Sequence, residues 1–170
     1  MNTRSGNIIL IGMMGTGKST VGRLIAEHLN YSLVDLDAEI ERMAGKSIPD
    51  LFAADGEGRF RDFETAALRE VLHRSCQVIA TGGGAVLRSE NCEAMKRGGW
   101  VVALTADADT IVERVRGDAN RPLLAGNVEE RVQSILMERA DNYRFADLMV
   151  DTAGLTADEV ASEILMHYRG

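Results

Sequence analysis

At 170 residues, with 45% hydrophobic and 26% charged side chains, the chain can bury one core without disulfides and is expected to form a single α/β domain over residues 1–170. A net charge of −7 and a sequence pI of about 5.0 exclude the generally basic face that binds nucleic acid or an anionic membrane, so an anionic ligand must be held by a few placed arginines. No run reaches the roughly 20 apolar residues that span a bilayer, and only about seven residues precede the first apolar run, too few for a leader peptide.

Strand-length apolar runs alternate with amphipathic helical segments along the chain, the pattern of a parallel sheet covered on both faces. Strands are predicted over 7–11, 32–35, 77–80, 100–104 and 148–150, and the first helix over 18–29, with Val21, Leu24, Ile25 and Leu29 on one face. A second helix, 37–44, ends at Gly45; a short one follows, capped by Ser47 with Pro49 in its first turn and stopped at Gly56. Helices then cover 57–74, the segment from Ser89 to Gly98, and 107–116. Asn127 with Glu130 and Thr156 with Glu159 read as capping boxes that open the last two. Between them lies a glycine-flanked loop of about ten residues, Gly117 to Gly126, too long for a plain connection in a compact domain and expected to act as a lid over about 117–127. His28, His73 and His167 fall in helical stretches with no serine or carboxylate constellation, and Cys76 and Cys92 show no CxxC spacing. All five are expected to be structural or solvated, the cysteines as small buried residues in a reducing, cytoplasmic setting.

The densest chemistry follows the first strand. Gly12-Met13-Met14-Gly15-Thr16-Gly17-Lys18-Ser19-Thr20 fits G-x-x-x-x-G-K-[ST] between a strand and a helix, a context that separates it from a chance glycine turn. Glycines allow successive N–H groups to turn toward one anion, and the N-terminal end of the following helix adds positive potential. Gly15, Thr16, Gly17, Lys18, Ser19 and Thr20 are therefore predicted to bind a nucleoside triphosphate. Lys18 would reach the β- and γ-phosphates, and the Ser19 hydroxyl would ligate Mg²⁺.

Four further stretches carry candidate residues. Asp35 and Asp37 close the second strand two residues apart, which would put both carboxylates on one side for as long as the chain stays extended. Asp35 could then hold the Mg²⁺ shell and Asp37 accept a proton, although Asp37 could instead, or as well, cap the next helix. Arg61 and Glu64 share a helix face; they form either an ordinary surface ion pair or an arginine held ready for a carboxylate. Gly82, Gly83 and Gly84 follow the third strand, where a ligand must touch backbone or the chain must merely turn tightly. Arg121 with Pro122 in the lid, and Arg139 on the helix beyond it, are the remaining placed cations.

Taken in this order, the phosphate loop, Asp35 and Asp37, Ser47 to Phe52 leading into Gly56 to Glu64, Gly82 to Gly84, Arg121-Pro122-Leu123-Leu124, and Arg139 followed by Tyr143 resemble shikimate kinase over nearly the whole chain. The resemblance implies a five-stranded parallel sheet in order 2-3-1-4-5, a P-loop three-layer sandwich similar to nucleoside monophosphate kinases, with an acceptor-binding segment over about 35–64. It also implies ATP-dependent phosphorylation of the 3-hydroxyl of shikimate; separately, the chain is expected to act as a monomer on its small-molecule substrates. By the same resemblance Asp37 contacts the acceptor hydroxyls and is the proposed base; Arg61, Arg139 and Gly83 hold the carboxylate and ring substituents; Phe52, Phe60, Pro122 and Leu123 line the pocket. Arg121 would contact ATP from the lid and Arg114 would stack on adenine, where the chain departs from the family by carrying Leu155 and Thr156 on the opposite side. Two alternatives stand beside this reading, a gluconate-type small-molecule kinase and a nucleotide-binding switch or inactive relative. The second is opposed by the absence of an N-K-x-D element and the presence of Asp37, Arg61 and Arg121.

Overall fold

The computed structural model describes residues 6–116 and 127–169. Five strands, β1 (Ile8–Gly12), β2 (Ser32–Asp35), β3 (Gln77–Ala80), β4 (Trp100–Thr105) and β5 (Leu148–Asp151), form one parallel sheet in the order β2-β3-β1-β4-β5. The expected strands and their order are all present. Seven helices are described: α1 (Lys18–Leu29), α2 (Leu36–Ala44), α3 (Ile48–Val71), α4 (Ser89–Gly98), α5 (Ala108–Val115), α6 (Val128–Arg139) and α7 (Ala157–His167).

The central strand β1 is buried along its whole length, as a parallel strand covered on both faces must be. One face packs Ile9, Ile11, Ile79 and Val101 against residues of α2, α3 and α4, including Ile40, Leu68 and Met95. The other packs Ile8, Leu10, Val78 and Val102 against Val21 and Ile25 of α1 and Val160 and Ile164 of α7. A third, smaller cluster joins Met13 and Met14 of the phosphate loop to Ile111 and Val115 of α5 and Val132 and Ile135 of α6. The three-layer α/β sandwich therefore has its phosphate loop keyed into α5 and α6, the helices on either side of residues 117–126 in the sequence. The lid residues Gly117 to Gly126 lie outside the described residues, as do the positions of Arg121, Pro122 and Leu123.

Local signals hold up well. Ser47, Asp107 and Asn127 each accept a bond from the backbone N–H three residues on, and Thr156 with Glu159 forms the reciprocal box. The two helices expected either side of Gly56 run as one element, α3, but Gly56 interrupts it with φ 81 and ψ 175, a non-helical geometry that a side chain resists. Two expectations need correction. The carboxylates of Asp35 and Asp37 do not both stand on an extended strand: Asp35 Oδ1 accepts from Asp37 N at 3.0 Å and caps α2, which begins at Leu36, so Asp37 lies in the first helical turn. Cys76 is exposed, at φ 57, rather than buried, while Cys92 is half-buried. All three histidines are exposed. No helix among the described residues is long and apolar enough to cross a membrane.

Candidate active site

The strand order makes β1 and β3 neighbours although β1 leads first to β2 and β3 leads to β4. Their connections leave the sheet in opposite directions, and such a switch point opens a crevice beyond the carboxyl ends of the strands. The phosphate loop emerges from β1 there, and the triglycine turn from β3. A cavity of about 610 Å³ occupies the crevice, lined by Gly15 to Thr20 at its floor, by Asp35, Asp37, Gly82 and Gly83 on one side, and by Arg114, Thr152 and Leu155 on the other.

The loop is built for an anion. Gly12, at φ 141, runs so close to the Leu104 carbonyl of β4 that a Cβ would collide with it. Gly17, at φ 91, is the N-cap of α1 and supplies no side chain. The first-turn N–H groups are therefore left without a side-chain cap where a phosphate can take them. Thr16 Oγ1 donates to Met13 O at 2.7 Å and braces the loop from within. Lys18, buried, donates through Nζ to the Gly12 and Met13 carbonyls at 2.6 and 2.9 Å. Its ammonium thus bridges the turn that a triphosphate would fill. Ser19 and Thr20 are exposed at the cavity floor.

On the β5 side Arg114 reaches back from α5. Its guanidinium donates to Gly15 O at 2.9 Å and to Thr152 Oγ1 at 3.2 Å, and Thr152 Oγ1 donates to Thr105 O at 2.9 Å. Thr152 escaped the sequence reading. The available signal was its place directly after a strand, at the edge where ligands bind. Leu155 also lines the cavity, with Ala157 and Val160.

On the β2–β3 side, residues scattered over the chain meet around the glycines. Arg61, Glu64 and Arg139 are only 7%, 0% and 5% exposed. Arg61 Nη1 donates to Glu64 Oε1 at 2.9 Å and Nη2 to Glu57 Oε1 at 3.2 Å, so the pair is not an ordinary surface ion pair. A Cβ on Gly84 would overlap the Arg61 guanidinium, one on Gly83 would lie 3.4 Å from Arg139 Nη1, and one on Gly82 would lie 3.1 Å from Asp37 Oδ1 and 3.4 Å from Glu64 Oε2. Both arginines and both carboxylates therefore abut one short turn, which is open only because it lacks side chains. Phe60 stacks on Phe52, ring centroids 4.8 Å apart, and lies beneath the Arg61 guanidinium at 4.9 Å. Arg61, Glu64, Arg139, Phe52, Phe60 and Gly84 are not part of the lining of the 610 Å³ cavity; they extend from its Asp37–Gly83 end.

Three polar atoms at this end are buried without a partner: Arg61 Nε, Glu64 Oε2 and Arg139 Nη1. Leaving such groups unpaired costs about 1–3 kcal/mol each, more when charged, and native structures concentrate them where a ligand completes the bonding. Burial pushes the Glu64 carboxyl above the ordinary range, opposed by Arg61 and Arg139 and reinforced by Asp37. The site thus combines two guanidinium groups, a buried carboxylate that fixes one of them, and a half-buried carboxylate, Asp37, at the boundary with the phosphate loop.

Comparison with known proteins agrees with this geometry. The family model described as shikimate kinase matches residues 14–169. The chain is 45% identical over 163 residues to the shikimate kinase of Thermodesulfovibrio yellowstonii, covering 95% of this chain and 94% of that one. It is 45% identical over 164 residues to that of Geobacter sulfurreducens, covering 96% and 91%. Among solved structures, shikimate kinase from Acinetobacter baumannii in complex with shikimate superposes with a TM-score of 0.92 at 41% identity, covering 97% of this chain and 93% of that one. Matched by the family model over residues 14–169 and this similar to these enzymes along nearly its whole length, the chain belongs to the shikimate kinase family.

Proposed function

We propose that the chain is a single-domain, monomeric, cytoplasmic enzyme that transfers the γ-phosphoryl group of ATP to the 3-hydroxyl of shikimate, giving shikimate 3-phosphate and ADP. The observation that carries this reading is the convergence of Arg61 and Arg139, each with an unpartnered buried nitrogen, on the triglycine turn beside the phosphate loop. Two desolvated guanidinium groups suit one carboxylate of a small acid, which explains how a protein of net charge −7 takes up an anionic acceptor.

Phosphoryl transfer asks for in-line placement and charge neutralisation more than for covalent chemistry. In this site the loop N–H groups and Lys18 hold the triphosphate at the centre of the crevice, and Arg114 and Leu155 flank the adenine. Arg61, Arg139 and Gly83 hold the acceptor from the β3 side, with Phe52 and Phe60 behind it. Asp37 stands between the two and accepts the proton of the attacking hydroxyl. By the family resemblance Arg121 would contribute a cation to the phosphates and Pro122 and Leu123 apolar contacts to the acceptor; all three lie outside the described residues. Ser19 and Asp35 offer a hydroxyl and a carboxylate oxygen, both exposed at the cavity, which is the sparse hard-oxygen set that suits Mg²⁺ shared with phosphates and waters. Held by Ser19 and Asp35, Mg²⁺ would supply charge neutralisation to the phosphates.

The decisive test measures ADP release with shikimate, with gluconate and with neither. Release that depends on shikimate is expected; release equal in all three, or dependent on gluconate alone, would overturn the assignment. Asp37→Asn is then expected to bind ATP as the wild type does and to transfer phosphate slower by about 10²–10⁴-fold, the usual weight of a general base. Near-normal single-turnover transfer by that variant would remove Asp37 from the role of base.

A further inference from the structure

The turn after β3 has no side chains with which to hold itself. Three consecutive glycines lose more backbone freedom on ordering than any other tripeptide, yet this turn must keep a fixed shape between two ligands. Its carbonyls are all accounted for. Gly82 O accepts from Ala85 N at 3.2 Å and Gly84 O from Leu87 N at 3.1 Å, within the 3₁₀ turn Ala85–Leu87. Gly83 O accepts from Tyr143 Oη at 2.7 Å, a bond that spans 60 residues of sequence.

Gly83 is also the spacer of the site. A Cβ at this position would lie 3.3 Å from Met14 N of the phosphate loop, 3.4 Å from Arg139 Nη1 and 3.5 Å from Gly12 O. The space beside its Cα, bounded by the loop and the arginine, is therefore kept free of any side chain. Tyr143 holds the same glycine by its carbonyl. It is buried, packs in the sheet core beneath the site, and ends the 3₁₀ turn Ala140–Tyr143 that continues directly from Arg139. Burial raises its phenol above the usual value although Arg139 and Arg61 oppose the shift, so the hydroxyl stays protonated and donates.

We infer that Tyr143 is a positioning residue for the acceptor: through its bond to the Gly83 carbonyl it sets the separation between the Arg139 guanidinium and the phosphate loop. The tyrosine touches no reactant in this scheme. It ties the segment that carries Arg139 to the turn that Arg139 must face, and so fixes where the acceptor carboxylate sits relative to the γ-phosphate. The inference rests on the acceptor assignment made above.

Tyr143→Phe tests it, because the ring stays in the core while the hydroxyl's bond to Gly83 O and its interaction with the neighbouring Arg139 are both lost. Two readouts are needed, amide hydrogen exchange over residues 82–87 without ligand, and calorimetric titration with shikimate and, separately, with ATP. Faster exchange at Ala85 and Leu87, whose N–H groups bond to Gly82 O and Gly84 O, is expected, together with shikimate affinity weakened about tenfold, the usual consequence of one unsatisfied buried carbonyl, at unchanged ATP affinity. Wild-type exchange at Ala85 and Leu87 would overturn the inference. So would a lowered melting temperature with unchanged shikimate affinity, which is the signature of a merely structural tyrosine. Should the wild type bind no shikimate, the acceptor assignment falls, and the ligand-free exchange still decides whether Tyr143 holds Gly83.

Discussion

Lys18→Met is expected to lower turnover by on the order of 10²–10³-fold while leaving the dissociation constant for shikimate nearly unchanged, since a preorganised donor to developing charge is worth about that much. The side chain is buried at the floor of the cavity and its Nζ already holds the Gly12 and Met13 carbonyls at 2.6 and 2.9 Å. A flexible four-carbon stem lets the same ammonium swing from those carbonyls to phosphate oxygens at little cost. Methionine keeps the stem's volume and loses the charge, so the loop keeps its packing against the α5–α6 cluster formed by Met13 and Met14. The lost loop bonds should lower the melting temperature modestly, with a net contribution of about 0.5–1.5 kcal/mol each. Steady-state kinetics with acceptor titration separates the two effects. Equal losses in turnover and in acceptor affinity would contradict a role confined to the phosphates.

Arg61→Lys should weaken shikimate by on the order of 2 kcal/mol or more, read as a rise in the acceptor KM, because one prong of a desolvated pair is removed while the charge stays. Arg61 does three things at once: Nη1 holds Glu64 at 2.9 Å, Nη2 holds Glu57 at 3.2 Å, and Nε is buried without a partner. An ammonium is a point charge and cannot present that fork. Lysine is the informative replacement. Alanine would strand the fully buried Glu64 carboxylate, a disruption that costs about 3–5 kcal/mol for a buried pair and would confound binding with folding. An acceptor KM equal to that of the wild type would remove Arg61 from the acceptor site.

These two residues differ in how far the chain alone reveals them. Lys18 was legible because its whole environment is local: a strand, three glycines with φ of 141, 76 and 91, and a helix whose first turn is open. Arg61 and Glu64 could be read only as a helical pair, equally compatible with a solvated salt bridge, because nothing within several residues says what packs over them. The D-x-D pair shows the opposite failure. Period-two reasoning put both carboxylates on one strand face, but Asp35 caps α2 with its own side chain and turns Asp37 into the helix, and the two still border the same cavity. The hydroxyl of Tyr143 left no local trace of its role, and Thr152 only its place directly after a strand, since each acts through a carbonyl or guanidinium distant in sequence.

The chain by itself determined the strands, the helix starts, the phosphate loop and the shikimate kinase resemblance, since caps, glycine turns and hydrophobic periods are settled by interactions reaching only a few residues. Tertiary structure alone decided that Arg61, Glu64 and Arg139 are buried together against Gly82 to Gly84, and that Tyr143 closes on Gly83. Those contacts depend on the crossover that places β3 beside β1 and on the 3₁₀ turn after α6 that seats Tyr143 in the sheet core, and burial by distant segments is what turns an ordinary charged side chain into a desolvated, specific one.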